Sequence, residues 1–85
     1  MAYQLRFERE AVEELKKIPK EYQKLIKEKL QLLADNPENL KNNIKPLKGG
    51  NGFFRLRVGN YRVIYKIYNE VIIIYHIRHR KSAYD

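Results

Sequence analysis

The stretch FFRLRVGNYRVIYKIY, residues 53–68, decides the fold. Apolar and charged side chains alternate through Phe53–Val58 and again through Tyr61–Tyr68, the period of a strand with two different faces. Gly59-Asn60 between them is a two-residue hairpin signal. If these two residues form the loop, Val58 pairs with Tyr61, Arg57 with Arg62, Leu56 with Val63 and Arg55 with Ile64, and Phe53 lies opposite Lys66. Cross-strand partners share a face, as do alternate residues along a strand. Arg55, Arg57, Arg62 and Lys66 therefore project one way. Phe54, Leu56, Val58, Val63, Tyr65 and Ile67 project the other way and supply an apolar floor.

Moving outward, Asn69-Glu70 forms a second turn and Val71–Ile77 is the most apolar strand, expected at the centre of the sheet. Unbroken alternation from that turn puts Tyr75, Ile77 and His79 on the cationic face. It puts His76 on the opposite, helix-covered face as a structural histidine. Toward the N-terminus, residues 38–52 read as a polar connection ending in a flexible glycine-rich turn. Its glycines do not make a phosphate-cradling loop, because the Gly-Lys-Ser/Thr element is missing and a strand follows instead of a helix. Tyr22, Leu25, Ile26, Leu30 and Leu33 mark a helix closed by Asp35-Asn36-Pro37, and Ala11, Val12, Leu15 and Ile18 mark another that Pro19 ends. Tyr3, Leu5 and Phe7 alternate as a short first strand. The expected architecture is α+β, in the order βααβββ, with two antiparallel helices on one face of a mainly antiparallel four-stranded sheet. All 85 residues belong to one domain.

The charge is as uneven as the hairpin suggests. The chain has 18 Lys+Arg and 10 Asp+Glu, a formal net charge of +8. Residues 1–40 carry eight bases and eight acids and sum to zero, so residues 41–85, with ten bases against Glu70 and Asp85, hold the entire excess. A one-sided positive field attracts a polyanion, an anionic membrane surface or an acidic protein. Arginine, whose planar fork grips phosphate in pairs of hydrogen bonds, makes up much of that excess. With no cysteine, disulfide scaffolds and thiol catalysis are excluded. No apolar run approaches the roughly 18 residues of a membrane span, and the N-terminus lacks the apolar core of a signal peptide. The expectation is a soluble, cytoplasmic, basic domain without a membrane partner.

Two histidines that diverge along a strand with no carboxylate cluster make a poor metal site, so neither metal nor cofactor is expected. Ser82, the sole serine, sits in a basic tail without a nucleophile elbow. Arginines beside a tyrosine or histidine do suit metal-free cleavage of RNA, which carries its own nucleophile in the 2′-hydroxyl. Such a site must stabilise the extra charge on the phosphorane, which fixed cations do. It must also move two protons, and the candidates for that are His79, the tyrosines and the lysines.

Gly52–Tyr65, the apolar strand after it, and His79-Arg80-Lys81 with Tyr84 together resemble the RelE toxin family of the RelE/ParE superfamily. The opening strand at Tyr3–Phe7, the two helices and the Lys45–Gly49 segment extend the resemblance over nearly the whole chain. It implies a microbial-RNase-like fold and a toxin–antitoxin module. It further implies ribosome-dependent cleavage of mRNA in the A site, with contacts to rRNA and an acidic RelB-like antitoxin that wraps the toxin. On this resemblance the catalytic residues are Arg55, Arg57, Arg62, Arg80 and Tyr84, with Lys48, Lys66, Arg78, His79 and Lys81 binding RNA. Arginine stands at 55 and 57 where well-studied members have lysine. Arginine stays protonated and is no general base, so Tyr84 takes that role with His79 as substitute, and Arg80 is a phosphate clamp or acid. Two other readings share the fold: a ParE-type inhibitor of DNA gyrase without nuclease chemistry, and a non-catalytic RNA- or ribosome-binding module.

Overall fold

The computed structural model describes residues 2–49 and 51–82. The chain runs β1 (Gln4–Phe7), α1 (Arg9–Lys16), α2 (Lys20–Asp35), a 3₁₀ segment (Pro37–Asn43), β2 (Ile44–Pro46), β3 (Phe54–Val58), β4 (Tyr61–Tyr68) and β5 (Val71–His79). The sheet order is β1-β5-β4-β3-β2, with β1 parallel to β5 and every other pair antiparallel. The α+β class and the two helices followed by the strand meander are as the sequence led one to expect.

Among the described residues the sheet has five strands, one more than expected. Ile44, Lys45 and Pro46 pair with Leu56, Arg55 and Phe54 inside what reads as a polar connection. Three residues give too little alternation to see. Pro46 is tolerated because β2 is an edge strand whose missing N–H breaks no inner ladder. The middle strand is β4; β5 is interior, between β1 and β4.

Each turn has its own cause. Gly59 adopts a φ of +57°, which costs a glycine nothing. Asn69 and Glu70 both take positive φ, 48° and 64°, the sign pattern of a type I′ hairpin turn. The core joins Ala11, Leu15 and Ile18, then Ile26, Leu30 and Leu33 of α2, to Leu56, Val58, Val63, Tyr65, Ile72, Ile74 and Ile77 of the sheet. Burial raises the Tyr65 phenol to about 12.

Among the last three of those strand residues the spacing changes. Lys66 pairs with Ile73 and Tyr65 with Ile74, but Ile64 pairs with His76, so Tyr75 is an extra residue in a β-bulge. Beyond the bulge every side chain changes face relative to unbroken alternation. Ile77 is therefore core, 2% exposed, not part of the cationic face. His79 lies opposite Tyr61 on the helix side, ring against ring at 5.5 Å. His76 and Arg78 are the residues that turn to the cationic face. Tyr75 does belong there, as its edge-on contact with Phe53 at 5.0 Å shows.

Candidate nucleic-acid interface

The hairpin register matches the one drawn from residues 53–68: Arg57 opposite Arg62, Leu56 opposite Val63, Arg55 opposite Ile64. The bulge then aligns Arg78 with Arg62. Arg57, Arg62 and Arg78 thus form a row across β3, β4 and β5, its ends on the order of 10 Å apart from the spacing of neighbouring strands. A second row, Arg55, Ile64 and His76, lies behind it.

Like charges directly opposite one another repel, and two local devices hold this row together. Arg62 is only 7% exposed, and its Nη1 donates to the Gly59 and Tyr61 carbonyls, both at 3.0 Å. The sequence presents it as a solvent-facing arginine; in the fold it braces the turn at which the row begins. Arg78 is met by a carboxylate from the other side of the chain. Its Nε donates to Glu14 Oε2 at 3.0 Å, while Glu14 Oε1 accepts the Ile77 N–H at 2.9 Å and lies 3.3 Å from His76 Nδ1. β1 ends at Phe7, opposite Ile74, so the outer edge of β5 beyond that point lacks a strand partner and Glu14 of α1 covers it. Burial alone pushes the Glu14 carboxyl up, but the Ile77 amide, the Arg78 guanidinium and His76 outweigh that and hold it below its ordinary 4.5.

The structure gathers some of the expected residues and scatters others. Arg80 is exposed just past β5, and its N–H donates to the Asn60 carbonyl at 2.7 Å, which brings it to the same turn as Arg62. Arg57, Arg62, Arg78 and Arg80 thus meet at one end of the sheet, with Arg55 one row behind. Lys66 lies toward the far end, its Nζ 4.4 Å over the Phe53 ring. Exposed Lys48 follows Leu47, whose N–H bonds the Phe53 carbonyl, so it too is remote from the row. Lys81 is exposed, and its N–H donates to His79 Nδ1 at 3.3 Å. That contact, with the Tyr61 ring, keeps His79 on the wrong face to replace a base beside the arginines. Tyr84 lies outside the described residues.

Glu14 and His76 are site-side residues that alternation missed, whereas it did place Tyr75 on this face. A signal was present: the buried isoleucines of β5 fall at 72, 74 and 77, and strict alternation would have buried His76 and Arg78. Among the described residues no group of three His, Cys, Asp or Glu is placed to hold a metal ion, and no helix is long and apolar enough to cross a membrane. Chemically, a rigid arginine row at a turn presents fixed donors to phosphate oxygens.

Comparison with known proteins gives the same direction. A family profile described as ParE toxin of type II toxin–antitoxin system, parDE, matches residues 5–84. A protein from Methanocaldococcus jannaschii described as Toxin RelE3 is 38% identical over 81 residues, 93% of this chain and 92% of that protein. A chain of the archaeal RelE–RelB complex from Pyrococcus horikoshii superposes with a TM-score of 0.80 at 27% identity, over 98% of this chain and all (100%) of that one. A chain of the RelBE2 toxin–antitoxin complex from Mycobacterium tuberculosis gives 0.80 at 30% identity, over 94% and 100%.

Proposed function

Because this chain belongs to the RelE family of toxins, within the RelE/ParE superfamily of type II toxin–antitoxin systems, we propose that it inhibits translation by cutting mRNA on the ribosome. The observation that carries the proposal is the row Arg57, Arg62 and Arg78 with Arg80 at the same turn. In the proposed reaction the RNA 2′-oxygen attacks the adjacent phosphorus and the bond to the 5′-oxygen breaks. This leaves a 2′,3′-cyclic phosphate and a 5′-oxygen that takes a proton from Arg80, acting as acid, to become the free 5′-hydroxyl. The arginines bind the phosphate and stabilise the charge that develops on it. Tyr84 accepts the 2′ proton, a role that falls to it because arginine stands at 55 and 57 and cannot fill it. Arg55 extends the phosphate track, and Lys48, Lys66 and Lys81 contribute longer-range attraction to mRNA and rRNA.

The RelE–RelB complexes among the structural relatives support a RelB-like partner for this toxin. A net charge of +8 makes an acidic antitoxin the complementary one. The test is a translating extract supplemented with the protein, with mRNA ends mapped. New 5′ ends within translated codons are expected, and intact mRNA would overturn the proposal. The match to a ParE profile favours one second reading, inhibition of DNA gyrase. Loss of supercoiling in a purified gyrase assay, with mRNA left whole, would establish that reading instead.

A further inference from the structure

Next to the arginine row is a cavity of about 280 Å³ lined by Leu47, Phe53, Ile64, Tyr75, His76 and Arg78. We propose that it is a nucleobase pocket, taking the base of a nucleotide whose phosphate lies on Arg57, Arg62 and Arg78. This rests on reading the arginine face as an RNA surface.

The lining has the composition that base binding requires, mostly apolar walls with a few fixed polar groups on one side. Ile64 and Leu47 are aliphatic, and Phe53 and Tyr75 meet edge to face, 5.0 Å between centroids at 80°. Lys66 lies against the Phe53 ring, so that aromatic corner is held from a second direction. Flat aromatic and aliphatic surfaces bind bases by stacking, largely without regard to sequence.

The polar side is held in place before any ligand arrives. Arg78 Nη2 lies 3.2 Å from His76 Nδ1, and both side chains contact Glu14 of α1. Glu10 of the same helix stands 4.0 Å from the His76 ring. Arg78 uses Nε for Glu14, which leaves Nη1 as a donor for a carbonyl oxygen or an unprotonated ring nitrogen of a base. Arg78 also belongs to the phosphate row, so one residue joins the two subsites. The bulge is what makes this possible: it turns His76 and Arg78 toward the face that Tyr75, Ile64 and Phe53 share.

Two ligands separate base from phosphate: a nucleoside 5′-monophosphate and ribose 5-phosphate, titrated into the full-length protein and followed by backbone amide NMR. The nucleotide should perturb Ile64, Tyr75 and His76 as well as the arginine row, and ribose 5-phosphate the row alone. Ile64→Trp, which fills the cavity, should weaken nucleotide binding about ten-fold and leave the sugar phosphate unchanged. Should that variant misfold, Leu47→Trp stands outside the strands in a chain with no other tryptophan, and quenching of its fluorescence by nucleotide alone reads the same contact. Equal affinity for both ligands, or no response of the cavity residues up to saturating nucleotide, would overturn the pocket. A cavity response without a row response would instead keep the pocket and sink the phosphate reading of the arginines.

Discussion

The two hairpins that share β4 are built differently. In β3–β4 a glycine takes the positive φ of the turn, and the register then runs without interruption from Val58–Tyr61 to Phe54–Tyr65. In β4–β5 two non-glycine residues hold positive φ at the turn, and the register breaks between Ile64 and Tyr65. The first hairpin has one apolar and one cationic face along its whole length. The second is two short ladders out of phase: the half next to the turn sends Ile72 and Ile74 to the core, and the distal half sends Ile77 there. The bulge lets one strand satisfy the core at both ends and still present His76 and Arg78 to the arginine face. By taking up Tyr75 as an extra residue, the bulge keeps Arg78 in the three-arginine row.

Shifting that phase should have the largest effect. Inserting one alanine between His76 and Ile77 sets the distal half of β5 one residue out, so that Arg78 turns to the core side that Ile77 fills and Ile77 turns outward. Burying a charge without its partner places such a change among the severe ones, above about 4 kcal/mol. The variant should show no cooperative thermal transition by circular dichroism. A native-like melting curve would mean that the strand slips back at little cost and that the bulge is not what fixes the register.

Next in size are paired truncations on either side of the bulge. Ile74→Ala and Ile77→Ala should each cost about 2–5 kcal/mol, since both side chains are enclosed in the same core. If the distal half of β5 were in phase with the near half, Ile77→Ala would behave as a surface change, within about 0.5 kcal/mol. Urea midpoints at constant slope make the comparison directly.

The same contrast explains what could be read from the chain. The β3–β4 register followed from Gly59-Asn60 because alternation and turn chemistry agree there over ten residues, each supporting the other. In β5 four apolar residues in a row, Val71 to Ile74, carry no phase information. The phase is set only at Ile77, three positions beyond Ile74, and by the cost of burying His76 or Arg78. β2 was hidden for another reason: its pairing depends on β3 being there to receive it, and three residues show no period of their own. Of the site, the arginines were legible because residue type alone marks them. Glu14 was not, since its partners lie 62 to 64 residues away and only the path of α1 beside β5 brings them together.

The row itself separates into an exposed and an enclosed member. Arg57→Ala should leave stability within about 0.5 kcal/mol, because the side chain is exposed. Arg62→Ala should cost about 1–3 kcal/mol through the lost bonds to the Gly59 and Tyr61 carbonyls. If both serve the phosphorane as proposed, each should lower single-turnover mRNA cleavage about 10²- to 10³-fold despite that difference in stability. Equal losses of stability would show that Arg62 does not brace the turn.

Smallest, and lost in acid, is the effect of Glu14. Its carboxyl is held below 4.5 in the folded chain, so the unfolded chain binds its proton first as the pH falls. The stabilisation it gives is complete above about pH 4.5 and fades as the pH drops through the lower folded value. Glu14→Gln keeps a carbonyl oxygen for the Ile77 N–H and removes the charge that faces Arg78 and His76. The variant should therefore be less stable than the wild type at pH 7, with the gap closing toward pH 3. A gap that stays constant across that range would assign the contribution of Glu14 to the hydrogen bond on the β5 edge. A closing gap assigns it to the charge that lets Arg78 stand opposite Arg62, and so ties the first helix to the arginine row.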